Sequence, residues 1–326
     1  MNIELEEVML SCNFNQNKTL FSIGTESGFR IYKLTYNSIS NNKKLEIDYY
    51  EKKLDGGLSI VEMYYDSNIL ILVGGGKYPI FPKNKVILWD EETSMVISEI
   101  SFSTLIQNLK VKKDLLFVAT EVRIHVINLL SLQVFDRLEL DSTSLTVKGL
   151  MSINYTLKET ILAFPDKNTG FVRIKNYDTQ NEILLKAHKS EISFLQLSDD
   201  GKLLATASHK KKSIRIFRTI DGRLLAKYST TTQESLVNYF SFDFKKNYLS
   251  VDYSDGSVGV YSLETVLKNN HSIHVESKFL QNTNNKFSSF KSKEFIVDNT
   301  EYETNKSSKN FIYNEECYSV FNDQVS

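Results

Sequence analysis

The sequence predicts an all-β protein, because short stretches with a period of two recur along the chain while helical periodicity is weak nearly everywhere. These stretches are rich in Ile, Val, Phe and Tyr, and polar turn residues bound each of them. One tetrapeptide type returns at intervals of 57, 38, 48, 42 and 44 residues, as Phe29–Tyr32, Val86–Trp89, Ile124–Ile127, Val172–Lys175, Ile214–Phe217 and Val258–Tyr261. A spacing of about 40 to 45 residues is typical of the four-stranded blades of a WD40-like β-propeller.

The order of strands within a blade is clearest between residues 192 and 226. Its segments are Ile192–Leu197, the turn Ser198–Gly201, Leu203–Ser208, the tetrapeptide Ile214–Phe217, the turn Asp221–Gly222 and Leu224–Ala226. This order predicts a four-stranded antiparallel meander with short corner loops, in which each tetrapeptide is an inner strand of its blade.

A seventh, weaker tetrapeptide follows 60 residues after the sixth, at Tyr318–Phe321. We therefore predict a seven-bladed β-propeller whose last blade is irregular, forming a single domain over residues 1–326. Two stretches break the repeat, at residues 35–57 and 264–310, and the second is rich in Asn, Ser, Lys and Thr. We interpret both as loop-rich insertions, made of exposed loops or frayed strands.

Charge and hydropathy limit the classes of protein to which the chain can belong. The formal net charge is −1, so no global field attracts the chain to nucleic acid, and any attraction to a membrane must come from a local patch. The first seven residues are acidic where a secretory signal is basic, and no apolar run approaches the ~18 residues of a membrane span. We expect a cytoplasmic monomer, and we interpret the two cysteines as small buried hydrophobes.

Catalytic motifs are missing from the sequence. It contains no nucleophile elbow, no phosphate loop ending in Gly-Lys-Ser/Thr and no metal-binding His-Glu-x-x-His helix. Gly74–Gly76 is followed by prolines rather than by a helix, which favours a blade corner over a dinucleotide cradle. We therefore expect a protein that is not an enzyme and that holds no cofactor and no metal.

Seven segments carry a pattern more specific than that of a general WD-repeat propeller: Leu10–Gln16, Phe21–Tyr32, Gly56–Met63, Leu72–Gly76, Phe81–Asp90, Ala187–Ser190 and Leu203–Ser208. In these segments the sequence resembles the PROPPINs, the seven-bladed phosphoinositide-binding propellers of autophagy. The resemblance covers roughly residues 8 to 263. A repeat propeller of another family remains the alternative for these segments, because a fold alone does not fix function.

The family's hallmark is a Phe/Leu-Arg-Arg-Gly motif in the loop that leaves blade five, and each arginine serves one of two phosphoinositide pockets. In this sequence the motif falls on Tyr228, Ser229, Thr230 and Thr231. Both arginines are therefore replaced. An arginine makes bidentate, charge-assisted bonds to phosphate that a hydroxyl cannot replace, so the resemblance implies weakened headgroup binding.

The first pocket keeps more of the family pattern than the second. The resemblance implies lipid-binding roles for His188, Ser190, Thr206, Ser208 and Arg215, and the turn between strands is strongly basic, with Lys210, Lys211 and Lys212. Residues 186–227 carry ten Lys and Arg against four Asp and Glu, a local net charge of +6. A solvated charged edge is the alternative interpretation of this patch.

The second pocket corresponds to Asp252–Ser257, where a carboxylate stands in place of a hydroxyl that would bond phosphate. Like charges repel, so we expect no headgroup binding there.

The resemblance also implies a partner surface on the first two blades, where the family docks the lipid-transfer protein of the autophagosome. We assign Asn15, Asn17, Lys83, Lys85, Glu91 and Glu92 to it. The leading hypothesis is a scaffold in autophagy or endosome–vacuole membrane traffic, with weak phosphoinositide binding at one basic pocket. It would associate peripherally with the autophagosomal precursor, endosomal or vacuolar membrane. The alternative is a protein-interaction platform that has lost phosphoinositide binding.

Overall fold

A computed structural model describes residues 8–39, 42–140, 149–156, 158–209, 213–229, 236–243 and 247–263. It also describes the backbone of five short strands farther along the chain. For residues 34–47, Ser229 and those five strands, the description is limited to the backbone.

The described strands form six sheets of the blade type, which we call blades 1 to 6. Blade 1 contains β1 (Val8–Phe14), β2 (Leu20–Thr25), β3 (Gly28–Ile39) and β4 (Asn42–Lys53). Blade 2 contains β5 (Leu58–Met63), β6 (Ile69–Gly74), β7 (Lys85–Asp90) and β8 (Met95–Ser101). Blade 3 contains β9 (Ile106–Lys112), β10 (Leu115–Thr120), β11 (Arg123–Asn128) and β12 (Val134–Glu139).

The remaining blades follow the same order. Blade 4 contains β13 (Ser152–Ile153), β14 (Ile161–Pro165), β15 (Phe171–Asn176) and β16 (Glu182–Lys186). Blade 5 contains β17 (Ile192–Leu197), β18 (Leu203–Ser208), β19 (Ser213–Arg218) and β20 (Leu224–Ser229). Blade 6 begins with β21 (Val237–Phe242), β22 (Tyr248–Tyr253) and β23 (Val258–Ser262).

The short strands that follow β23 join earlier sheets or pair with each other. They are β24 (Ile273–Glu276), β25 (Phe279–Leu280), β26 (Lys291–Ser292), β27 (Phe295–Ile296) and β28 (Ile312–Tyr313). β24 pairs in parallel with β20, and β25 completes blade 6 by pairing antiparallel with β23. β26 pairs with β27, and β28 pairs in parallel with β1.

The predicted strand positions are confirmed. Each of the six tetrapeptides lies in the third strand of its blade, so it has a strand on both sides. The predicted meander of residues 192–226 is blade 5, with antiparallel pairing throughout β17 to β20. Gly201 and Gly222 close its two predicted turns with φ of 67° and 68°, a left-handed conformation that glycine adopts without strain.

The stretch 35–57 differs from the prediction of loops or frayed strands. Most of it belongs to a long regular hairpin, in which β3 and β4 pair from Gly28 with Lys53 to Ile39 with Asn42. These strands have 12 residues each, whereas the other third and fourth strands of blades 2 to 5 have five to seven. The prediction failed because polar residues dominate this stretch, and cross-strand backbone pairing does not require an apolar pattern.

The chain divides into two compact units: residues 1–82, 88–97 and 282–314 form one, and residues 83–87, 98–281 and 315–326 form the other. The core of the first unit includes Phe29, Leu58, Val61, Ile71 and Leu72. The second unit has its own apolar clusters, described below. The prediction of a single domain stays a prediction.

The predicted seventh tetrapeptide, Tyr318–Phe321, and much of the stretch 264–310 lie outside the described residues. Six blades are described, and a seventh stays a prediction. Among the described residues, no helix has the length and apolarity needed to cross a bilayer.

Candidate functional site

The predicted lipid-binding residues gather on one face of blade 5. Successive residues of a strand point to opposite faces of a sheet. On β18, Leu204 packs with Ile161 and Ala163 of blade 4, whereas Ala205 and Ala207 pack in the cluster that holds Phe240 of blade 6. Thr206 and Ser208 therefore share the face that points toward blade 4.

His188 and Thr206 form the buried centre of this face. The His188 Nε2 and the Thr206 Oγ1 lie 2.9 Å apart in a hydrogen bond, and the residues are 2% and 0% exposed. Burial, assisted by the positive charge of Arg215, lowers the pKa of His188 to about 4. The imidazole is therefore neutral at pH 7 and acts as a fixed hydrogen-bonding group rather than as a cation.

Arg215 reaches the same place from β19. Its Nη1 donates a hydrogen bond of 2.5 Å to the carbonyl oxygen of Ala187, next to His188. On the strand that follows, Lys227 pairs in register with Arg215. The charge of Lys227 also contributes to the lowered pKa of His188. Within the described part of the chain, no carboxylate forms an ion pair with Arg215.

Buried polar atoms without hydrogen-bond partners concentrate at this end of blade 5. In the described residues there are five such side-chain atoms, and four of them are Ser190 Oγ, Ser208 Oγ, His209 Nε2 and Arg215 Nε. The four residues are neighbours: Ser208 pairs with Ile192, and the amide of His209 donates to the carbonyl of Glu191, next to Ser190. A buried polar group without a partner costs about 1–3 kcal/mol, so these atoms are favourable hydrogen-bonding positions for an ordered water or a ligand.

The structure adds His209 to the residues predicted from the sequence. It carried no motif signal, because its position in the sequence resembles an ordinary turn residue. Lys210, Lys211 and Lys212, predicted to line the pocket, lie outside the described residues.

The position of the replaced motif is described only in part. Tyr228 is fully buried, its hydroxyl donates to the carbonyl of Ser262 over 2.9 Å, and its ring lies 4.9 Å from that of Tyr261. It fills the apolar core toward blade 6, as the Phe or Leu of the family motif would be expected to do. Ser229 pairs with Ser213 at the end of β20, and Thr230 and Thr231 lie outside the described residues.

In the predicted second pocket, side chains form hydrogen bonds with other groups of the protein. The Ser254 hydroxyl accepts from the amide of Leu236, and Asp255 Oδ1 accepts from both the amide and the hydroxyl of Ser257. Asp252 is buried. The Ser254 and Asp255 side chains are bonded to neighbouring protein groups, in contrast to the open donors at Ser208 and Arg215.

The residues assigned to partner binding have unequal surroundings. Asn15 is 2% exposed, and its side chain holds a turn by bonding to Thr19, Leu20 and Asp66. Asn17 is exposed and donates to Asp66 over 2.6 Å. Asn15 therefore shapes this corner, and Asn17 is the residue that a partner could reach.

Glu91 is also an internal residue of its corner. Its carboxylate accepts from Tyr50 Oη at 2.5 Å and Trp89 Nε1 at 2.6 Å, and it lies 3.3 Å from Lys52 Nζ. Lys85 pairs with Glu99 over 2.7 Å, whereas Lys83 and Glu92 are exposed. Lys83 and Lys85 belong to one compact unit, and Glu91 and Glu92 belong to the other.

Among the described residues, no group of three His, Cys, Asp or Glu side chains is arranged to hold a metal ion.

Comparison with solved structures identifies the class of protein. Hsv2 from Kluyveromyces marxianus matches with a TM-score of 0.65 and 18% identity, over 86% of this chain and 83% of that one. A complex of KlAtg21 with the coiled-coil of AgAtg16 matches with a TM-score of 0.63 and 18% identity, over 79% of this chain and 81% of that one. The chain is an all-β propeller.

The family follows from the sequence comparisons. The family model described as PROPPIN matches residues 9–304, and this chain belongs to the PROPPIN family. Autophagy-related protein 18 of Dictyostelium discoideum is 25% identical over 83% of this chain, and Autophagy-related protein 18e of Arabidopsis thaliana is 27% identical over 78%. The chain spans 69% and 66% of the lengths of these two relatives.

Proposed function

We propose that this protein is a scaffold of autophagy or endosome–vacuole membrane traffic that binds a phosphoinositide headgroup weakly, at the face of blade 5 formed by His188, Ser190, Thr206, Ser208 and Arg215. Membership of the PROPPIN family and the autophagy-related names of its relatives support the setting. One observation supports the headgroup site above all. Buried polar atoms of Ser190, Ser208 and Arg215 at this face have no partner among the described residues.

The chemistry of these atoms suits a phosphate monoester. Serine hydroxyls and the Nε–H of arginine donate hydrogen bonds to phosphate oxygens, and Arg215 adds a positive charge that no carboxylate of the described residues neutralises. The neutral His188 fixes Thr206 beside them. We propose a ligand of the phosphatidylinositol 3-phosphate or 3,5-bisphosphate type.

We expect weak affinity for the headgroup because the two arginines of the family motif are absent. The Phe/Leu-Arg-Arg-Gly arginines of the family are replaced by Ser229 and Thr230. Each charge-assisted bond to phosphate contributes about 1.5–3 kcal/mol, so the loss of one or two lowers affinity by about tenfold or more. At the second pocket the polar groups bond to one another and two carboxylates repel phosphate, which supports binding at one pocket only.

The scaffold role requires a protein partner. One structural neighbour is Atg21 in complex with the coiled-coil of Atg16, which supports a partner of the autophagy machinery, such as a lipid-transfer protein or similar scaffold. For contact with such a partner we propose the exposed residues Asn17 and Glu92, which belong to the same compact unit. We propose a cytoplasmic monomer that associates peripherally with autophagosomal-precursor, endosomal or vacuolar membranes.

The alternative function is an interaction platform without headgroup binding. The replaced arginines favour it, because the family's strongest phosphate ligands are absent from the motif position.

Substitution of two arginines on β19, Arg215 and Arg218, would test the headgroup site. We expect Arg215→Gln to weaken binding to phosphatidylcholine vesicles containing phosphatidylinositol 3-phosphate by about tenfold, because it removes a charge-assisted donor. Arg218→Gln is the matched control: Arg218 lies on the same strand but pairs with Asp221. Vesicle flotation and calorimetry with soluble inositol 1,3-bisphosphate would separate a lipid surface from a free phosphate.

Equal effects of the two substitutions would contradict the site and indicate diffuse attraction to a charged edge. The absence of any vesicle binding at low salt would favour the platform.

A further inference from the structure

Blade 5 carries one strand more than its neighbours. The fourth strands of blades 2, 3 and 4, namely β8, β12 and β16, end their sheets among the described residues. The fourth strand of blade 5, β20, has β24 as an outer neighbour. A fourth strand with a free edge offers unpaired backbone groups, and β24 uses those of β20.

The strands that flank β24 in sequence belong to blade 6 rather than to blade 5. β24 lies in sequence between β23 and β25, which are both strands of blade 6. The chain therefore passes from blade 6 to the edge of blade 5 and returns to blade 6. A strand held in this way is a strap across the outer edge of blade 5.

The register places this strap next to the headgroup site. Ala226, Lys227, Tyr228 and Ser229 pair with Ile273, His274, Val275 and Glu276 in turn. On its other side, β20 pairs Lys227 with Arg215 and Ser229 with Ser213. Glu276 thus takes the register position beside Ser229, where the resembling family has the first arginine of its motif.

The pairing between β24 and β20 is short. Only four residue pairs hold β24, and parallel pairing is slightly less stable per residue than antiparallel pairing. Ordering these residues costs conformational entropy that opposes the pairing. A strand of this kind can dock and detach while blade 5 stays folded.

We propose that β24 is an internal strap that docks on β20 and opposes the binding of anionic headgroups at the neighbouring face of blade 5. A docked strap places the acidic residue Glu276 at the register position beside Ser229, and like charges repel. Headgroup binding and strap docking then oppose each other to the same extent, because coupling between two sites is reciprocal. The docking of β24 stands by itself, whereas its coupling to headgroups rests on the proposed function.

Three variants of the full chain test the two parts separately. Val275→Pro removes a backbone N–H and disfavours the paired conformation of β24. Glu276→Gln removes the charge and keeps the strand. Asn269→Pro, in the same connection but outside β24, is the control for introducing a proline. The measurements are hydrogen exchange of the Ala226–Ser229 amides and flotation with vesicles of phosphatidylcholine containing phosphatidylinositol 3-phosphate.

We expect Val275→Pro to speed exchange at Ala226–Ser229 and to strengthen vesicle binding by about fivefold, a common size of coupling between sites. Glu276→Gln should leave exchange unchanged and strengthen binding by less, and Asn269→Pro should leave both unchanged. Unchanged exchange in Val275→Pro would overturn the docking of β24. Faster exchange with unchanged vesicle binding would overturn the coupling. If no variant binds vesicles, the proposed function and the coupling both fail, while the exchange data still decide the docking.

Discussion

Two buried serines differ in their hydrogen bonding, and the difference tests the proposed site. The Ser22 hydroxyl donates to the carbonyl of Val61 over 2.6 Å, whereas the Ser208 hydroxyl is equally buried and has no partner among the described residues. We expect Ser208→Ala to raise the free energy of unfolding by about 1 kcal/mol, because it removes an unsatisfied polar group. We expect Ser22→Ala to lower the free energy of unfolding by a similar amount, about 1 kcal/mol.

Urea denaturation of both variants measures these changes, and vesicle flotation of Ser208→Ala should show weaker binding in the same protein. This opposition of stability and binding is typical of functional sites. A destabilising Ser208→Ala would contradict the assignment, because it would mean that the hydroxyl already has a structural partner.

His188 makes stability depend on pH. Its pKa in the folded protein is lowered to about 4, mainly by burial, from an ordinary value of 6.5. Below about pH 6.5 the unfolded chain binds a proton that the folded protein does not, so stability falls as the pH falls from about 6.5 toward 4. At 1.4 kcal/mol per pKa unit the loss reaches about 3 kcal/mol.

The measurement is the free energy of unfolding between pH 7.5 and about pH 4.5, for the unaltered protein and for His188→Gln, which keeps a hydrogen-bonding group beside Thr206. The difference between the two proteins should change across this range, because the glutamine does not titrate. Parallel pH profiles would mean that His188 is not buried in its neutral form.

At the scale of elements, β18 gives the proposed site a rigid support. All six of its residues are buried, since blade 5 packs on blade 4 through one face and on blade 6 through the other. A strand fixed on both faces holds Thr206 and Ser208 in defined positions, and precise recognition requires such rigidity. Strands β8, β12 and β16 have one exposed face and could not hold a donor in the same way.

At the scale of the whole molecule, charge is unevenly distributed. The chain has a net charge of −1, while residues 186–227 alone have +6. Lysine ammonium groups are hydrated point charges, so they respond to total negative charge more than to its arrangement. We expect vesicle binding to be weak and to rise with the number of phosphates on the inositol ring.

The same binding should fall sharply with salt, because the Debye length shortens from ~10 Å at 0.1 M to ~3 Å at 1 M. A salt titration of vesicle flotation measures this, and replacement of Lys210, Lys211 and Lys212 by Ala should remove most of the salt-sensitive part. Strong, salt-resistant selectivity for one 3-phosphorylated lipid would contradict this prediction and would indicate that a bidentate arginine site survives.

The sequence by itself determined the all-β class, the third strand of each described blade and the family, because alternation with a period of two reflects local burial that each strand carries in its own residues. It also predicted a site at His188, Thr206, Ser208 and Arg215 through their resemblance to a family pattern. It could not determine which side chains lack partners, because hydrogen bonds such as those of Asn15 with Asp66, or Glu91 with Tyr50, join residues that are distant in sequence.

Only the tertiary structure decided that Asn15 and Glu91 are internal supports, that the stretch 35–57 is largely a hairpin, and that Ser208 and Arg215 have buried polar atoms without partners among the described residues. It alone also placed β24 on β20, since a four-residue parallel pairing leaves no periodic signal in the sequence. The physical reason is the same in each case: local patterns encode which face of a strand is buried, whereas the choice of partner depends on which strands the fold brings together.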